Sequence, residues 1–445
     1  MSSLQLVNAR LVNEGSIVDA DVLIRGERIE RIGAGAVPAG TTTIDLRGLH
    51  LLPGLIDDQV HCREPGLTHK ATLATESLAA LCGGVTSFLD MPNTQPQTTD
   101  RAALAEKRRI AAATCNVNYG FYLGATNTNL EEIKRAGPED ACGIKVFMGA
   151  STGNMLVDDP ATLDGIFANA QLPIATHCEY SPLILENEKR YRARYGENVP
   201  IEAHPLIRSA EACWLSSSLA VDLAKRHGAR LHVLHLTTER ELALFESGPI
   251  AAKRITAEVC THHLWFDESS YATLGTKIKC NPAIKTAIDR AALRAAVVAD
   301  RIDVIATDHA PHTLAEKARS YFEAPSGLPL VQHSLLMLLD QHAQGLFTLP
   351  KIVEKAAHNP ALLFAIAERG FIREGYYADL VAVDVEARTL VDAKQVLYKC
   401  GWSPLEGTEL RGRVALTVLN GTPVFRDGQH IAGARTARAL ELQAR

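Results

Sequence analysis

Residues 51–66 read LLPGLIDDQVHCREPG, an apolar run closed by Gln59 and His61, which stand two apart and so share one face of an extended segment. The pattern recurs along the chain. Seven more strand-length apolar runs fall at roughly 84–91, 117–125, 143–149, 172–178, 230–236, 255–261 and 302–308. Between them lie Ala/Leu-rich stretches of helical character, such as RAALAEKRRIAAA, EACWLSSSLAVDLAKRHG and VQHSLLMLLDQHAQG. Strands alternating with helices predict βα units on a parallel sheet, and eight such units predict a TIM-type (β/α)8 barrel over residues 52–375. An open doubly wound sheet is the competing fold, but no phosphate-binding glycine motif follows any of these strands.

Outside this region the pattern changes to short alternating runs. LQLVNARLV, ADVLIRG, ERIERIG and TTTIDLRG at the N-terminal end have the signature of antiparallel hairpins. In VALTVLNGTPVFRDG, Asn420-Gly421 sits between two alternating runs, a strong two-residue hairpin signal. Residues 1–51 and 376–445 are therefore expected to join in one small β-sandwich.

The composition excludes several function classes. Of 445 residues, 47% are hydrophobic and 22% charged, which is globular, and 46 Lys plus Arg against 51 Asp plus Glu give −5 with no basic patch for nucleic acid. Nine cysteines without a C-x-x-C pair suit reduced, buried thiols. The first residues, MSSLQ, carry no basic or long apolar leader, and no uncharged apolar run is long enough for a membrane span. A cytoplasmic protein with neither nucleic-acid nor membrane partners is the expectation.

A barrel builds its site at the C-terminal ends of its strands. Five runs end in ionisable or polar residues: Gln59 and His61, Lys145 in CGIKVFMG, His177 in LPIATHCE, His235 in LHVLHLTT, and Asp308 in IDVIATDHAPH. A single histidine there is most often a hydrogen-bonded core residue. Three histidines, a lysine and an aspartate on five strands suit zinc or a similar cation. His232 and His235 are three apart and cannot share a strand face, so His235, nearer the end, is the candidate; His262 and His263 lie just past a strand. Lys145 has two readings. Either it pairs with a carboxylate, or it is a low-pKa amine able to take up carbon dioxide as a carbamate.

Taken together, REPG (63–66), DMPNT (90–94), GIKVFMG, THCE, VLHLTT, NPAIK (281–285) and TDHAPH (307–312) resemble the cyclic amidohydrolases. The likeness spans nearly the whole chain, and REPG, DMPNT and TDHAPH resemble the dihydroorotase branch rather than the hydantoinase or allantoinase branches. It implies one or two zinc ions held by His61, carboxylated Lys145, His177, His235 and Asp308, with Asp308 also moving the proton between attacking water and leaving nitrogen. It implies that Arg63, Asn93 and His312 bind a substrate carboxylate, that Asn281 contacts the ring, and that Ser326 and Gly327 offer it backbone groups. It further implies a homodimer. Where the family carries H-x-H, this chain has Gln59-Val60-His61, and an amide oxygen is a weaker zinc ligand than imidazole. Asp58 is no simple substitute for the missing ring, because strand alternation points it to the opposite face unless a bulge intervenes. Three readings follow: a dihydroorotase of pyrimidine biosynthesis in which Gln59 coordinates or water fills the gap; an amidohydrolase for another cyclic ureide, such as a hydantoin or allantoin; and a silent paralogue that serves as structural partner of, for instance, aspartate carbamoyltransferase. The segment STGNMLVDD (151–159) is a candidate lid.

Overall fold

The computed structural model describes residues 3–149, 155–433 and 436–444. Residues 151–154 of the candidate lid lie outside the described residues. The eight expected barrel strands form as Leu55–Val60, Val85–Asp90, Asn118–Phe121 with Leu123–Gly124, Ile144–Phe147, Ile174–His177, Leu231–Val233, Ile255–Cys260 and Val304–Ala306. Neighbours pair in parallel, in one run of three strands and one of six. The two runs share the third strand, which breaks at Tyr122, whose hydroxyl donates to the Asp58 carbonyl. At the seam between first and eighth strands, a parallel bridge joins Val60 to His309, and Thr307 Oγ1 donates to Asp57 at 2.6 Å. The ring of strands and its outer helices is thus the (β/α)8 architecture read from the sequence.

The helices form where the sequence places them, and their ends show why. Ala210–His227 starts at Ser209, whose hydroxyl accepts from the Ala212 N–H, and stops at Gly228 in the left-handed conformation (φ 64°). Its buried residues, including Cys213, Ser216, Ala220, Val221 and Ala224, recur at three- to four-residue spacing and face the strands.

The two ends of the chain do join, in a single hydrogen-bonded sheet of nine strands. Ser3–Asn13 and Ser16–Arg25 make the expected antiparallel hairpin, and Asn420-Gly421 turns with both residues at positive φ (47° and 77°). One expectation fails: Thr42–Asp45, in TTTIDLRG, pairs parallel to the first strand, not antiparallel, and His50–Pro53 pairs parallel to it as well. Residues 33–41 carry the chain back across the sheet, and a bulge between Leu6 and Ala9 lets one strand serve two successive parallel partners. His50–Pro53 also pairs with Leu380–Leu390, so the chain passes from sheet to barrel at Gly54. Residues 436–444 leave the sheet and run beside the third barrel strand, where Tyr119 donates to the Arg438 carbonyl. Among the described residues no helix is long and apolar enough to cross a membrane.

Candidate active site

At the C-terminal ends of the barrel strands lies a cavity of about 230 Å³. Every site residue named from the sequence lines it: Gln59, His61, Arg63, Asn93, Lys145, His177, His235, Asn281, Asp308, His312, Ser326 and Gly327. Gln59 and His61, like Lys145 and Phe147, reach it at two-residue spacing, whereas His235 and Asp308 enter just past the ends of their strands at positive φ. Asp58 and His232 do not line it; they meet Glu258 across the barrel in a fully buried cluster, with His232 Nε2 3.2 Å from Asp58 and 3.5 Å from Glu258. His262 and His263 are buried on the short helix Thr261–Trp265, outside the cavity lining.

Two groups of donors face each other across the cavity. On one side His61 Nδ1 lies 2.7 Å from Asn93 Oδ1, so the amide oxygen takes its proton and Nε2 turns toward the Asp308 carboxylate at 2.9 Å. On the other, His177 Nε2 gives its proton to Glu179 at 2.9 Å, and Nδ1 faces His235 Nε2 at 3.0 Å. Glu179 is locked in turn by Arg208. Burial opposes its ionisation, but the Arg208 charge and the His177 hydrogen bond hold its carboxyl at about 2. Carboxylate and amide partners that fix the imidazole tautomer are what a metal-ligating histidine requires.

The lone pairs left over argue for a cation. His235 Nδ1 is buried without a hydrogen-bond partner among the described residues, and only one proton can lie between His177 and His235. Burial pushes His235 well below the ordinary histidine range, keeping it neutral. Lys145 is buried, and among the described residues no carboxylate lies within ion-pairing distance of its Nζ, which instead sits 4.6 Å over the Phe147 ring. The ion-pair reading of Lys145 therefore fails. Burial lowers its ammonium to about 8, so an appreciable share of the amine is neutral near physiological pH. His61, His177, His235 and Asp308, joined by Lys145 were it carboxylated, thus fit a metal cation in chemistry and tautomer. Gln59 is turned otherwise: its Nε2 donates to Asp308 at 3.2 Å.

The cavity's outer wall is cationic. Arg63 is buried, and no carboxylate among the described residues pairs with it; its Nε donates to the Pro311 carbonyl at 3.2 Å and its Nη2 lies 3.1 Å from His312 Nε2. Lys70 Nζ donates to His312 Nδ1 at 3.0 Å, leaving Nε2 to donate to the Ser326 carbonyl at 3.0 Å. Burial, then the charges of Arg63 and Lys70, drive His312 well below its ordinary range. Arg63, His235 and Asp308 all sit at positive φ (64°, 41° and 46°). Such backbone costs on the order of 1–3 kcal/mol per residue and concentrates at functional sites.

Several contributors were not assigned from the sequence. Glu179 and Phe147 stand two residues after His177 and Lys145, and the period-two rule alone would have found them. Asp90 of DMPNT accepts from the Cys62 N–H at 2.7 Å and pairs with buried Lys107 at 2.5 Å, holding the turn between His61 and Arg63. Lys70, and Trp402, whose Nε1 donates to the His312 carbonyl at 2.7 Å, arrive from distant loops and leave no local signal.

Comparison with known proteins agrees with this construction. The chain is 31% identical over 439 residues to a dihydroorotase of Methanothermobacter thermautotrophicus, covering 97% of this chain and 96% of that one. It is 32% identical over 434 residues to an allantoinase of Solibacter usitatus, covering 96% and 94%. Its fold matches the L-hydantoinase of Arthrobacter aurescens with a TM-score of 0.93 at 27% identity, over 99% of this chain and 100% of that one. Residues 50–424 match the amidohydrolase family, and with this likeness to relatives over nearly the full length, the chain belongs to that family.

Proposed function

We propose that this chain is a dihydroorotase, interconverting dihydroorotate and N-carbamoyl-aspartate in pyrimidine biosynthesis. The observation that carries the reading is Arg63, a buried guanidinium with no carboxylate in ion-pairing range among the described residues, facing the cavity beside Asn93 and His312. A buried, unpaired charge is destabilising, and a ligand carboxylate is the group that would neutralise it. Hydantoin and allantoin lack a ring carboxylate. The likeness to an allantoinase and to a hydantoinase structure keeps a neutral ureide as the competing substrate class.

In this reading Arg63, Asn93 and His312 grip the carboxylate, while Asn281, Ser326 and Gly327 border the ring. Zinc, bound through His61, carboxylated Lys145, His177, His235 and Asp308, supplies Lewis acidity toward the amide carbonyl and the attacking water. Asp308 takes a proton from the water as its oxygen bonds to the carbonyl carbon, then delivers it to the ring nitrogen as the C–N bond breaks; ring closure is the reverse. Gln59, donating to Asp308, fixes the carboxylate for that transfer. In this chain Gln59 orients the general base in place of a ligating ring. A silent structural paralogue would have no use for this set.

Purified protein should turn over dihydroorotate and N-carbamoyl-aspartate with kcat/KM at least about 10³-fold above hydantoin, allantoin and dihydrouracil, as a buried charge contact of ~4 kcal/mol implies. Preference for a neutral ring would defeat the proposal. A second prediction concerns Lys145, whose amine adds carbon dioxide to give a carbamate and a proton. Protein loaded with zinc in ¹³C-bicarbonate should show one carbamate ¹³C resonance that Lys145→Ala lacks, with zinc lost alongside it. Unchanged zinc in that variant would refute carboxylation as the means of binding.

A further inference from the structure

Beyond the cavity's outer rim, Leu314–Lys317 and the loop that follows enclose two lysines which the reaction itself does not use. Lys317 is 1% exposed, and its Nζ donates to the carbonyls of Lys279 at 2.9 Å, Pro325 at 2.9 Å and Gly327 at 3.0 Å. All three ammonium protons are thereby engaged. Lys279 repeats the pattern, donating to the Tyr321 and Ala324 carbonyls at 2.6 Å each. No carboxylate among the described residues pairs with either lysine. Two buried lysine amino groups held by backbone carbonyls alone cost more stability than apolar side chains would, so packing does not account for them.

What they do account for is the direction of a peptide. In a trans peptide the C=O and the following N–H point opposite ways. With the Pro325 carbonyl drawn back onto Lys317, the Ser326 N–H is directed away from the clamp, and Ser326 lines the cavity. The neighbouring groups are already taken. The Gly327 N–H donates to the Lys279 carbonyl at 2.9 Å, the Ser326 carbonyl accepts from His312, and Ser326 Oγ donates to Asn281 at 3.0 Å. Gly327, at φ 142°, packs so closely that a Cβ there would lie 2.3 Å from the Ala310 carbonyl, so the loop cannot slide toward the strand ends.

We infer that Lys317 is a positioning residue for the substrate ring: its three carbonyl contacts turn the Ser326 N–H into the cavity as a hydrogen-bond donor for a carbonyl oxygen of a cyclic ureide. The inference rests on the ureide reading above and adds what selects the ring, as distinct from the carboxylate gripped by Arg63. A donor mounted this way serves substrate and transition state alike, so its loss weakens binding more than it slows chemistry.

The test compares two ligands of the zinc-loaded protein, orotate, a planar ureide bearing a carboxylate, and succinate, which offers carboxylates alone. Lys317→Met should weaken orotate binding about tenfold, the loss of roughly one hydrogen bond, and leave succinate within twofold. Equal loss for both ligands, or none for orotate, overturns the inference. A wild type that binds succinate but not orotate fails the ureide reading instead. Should Lys317→Met not fold, Lys317→Gln, which keeps a donor but cannot reach all three carbonyls, is measured in its place: a loss confined to orotate supports the inference, and an equal loss for both ligands, or none for orotate, overturns it.

Discussion

Asp308→Asn should lower kcat for dihydroorotate hydrolysis by about 10²–10⁴-fold, the usual contribution of a positioned general acid–base group, with KM within a few-fold. The substitution keeps shape and removes the ability to take a proton. In the native site, burial acts to raise the Asp308 carboxyl, but the close approach of His61 and the neighbouring His262 and Lys145 outweigh it and hold the group below the ordinary aspartate range. It therefore stands ionised near neutral pH, ready as a base. Stopped assays in both directions, with zinc measured in the same samples, check the result. A kcat within tenfold of wild type at full zinc occupancy would remove Asp308 from proton transfer.

Much of this site was legible because its logic is local. Gln59 and His61, and Lys145 followed by Phe147, obey the period-two rule, which needs only the strand and its end. The barrel was legible for the same reason, being eight repetitions of one local pattern. Residues whose roles depend on contacts distant in sequence were not. Lys70 and Trp402 reach His312 across 242 and 90 residues, and Lys317 acts on a peptide that its own neighbourhood does not predict. The positive φ of Arg63, His235 and Asp308 was equally hidden, since non-glycine residues seldom adopt it and the surrounding fold must impose it. In the sheet domain, alternation announced strands but not their partners. TTTIDLRG reads the same whether it pairs parallel or antiparallel, and the length of the connection before it decides.

Arg63→Met should separate the two substrate classes most sharply, because it moves activity and stability in opposite directions. The guanidinium is buried, and burial is the leading influence on it, lowering its pKa from the ordinary arginine range. In the free protein its fixed contacts are a carbonyl and a neutral imidazole. A methionine of similar length relieves the cost of that unpaired charge, so the melting temperature without ligand should hold or rise by a few degrees. With dihydroorotate the balance reverses. The substrate carboxylate loses its partner inside a desolvated cavity, a deficit of about 3–5 kcal/mol, and kcat/KM should fall roughly 10²–10⁴-fold. Dihydrouracil, the same ring without the carboxylate, should react with the variant as well as or better than with wild type. If Arg63 were instead a structural tie between the turn after the first strand and the Pro311 loop, Arg63→Met would melt lower and lose both substrates together. Thermal scans and paired substrate kinetics on one preparation tell these outcomes apart, since a structural tie cannot raise stability while abolishing turnover of only the acidic ring.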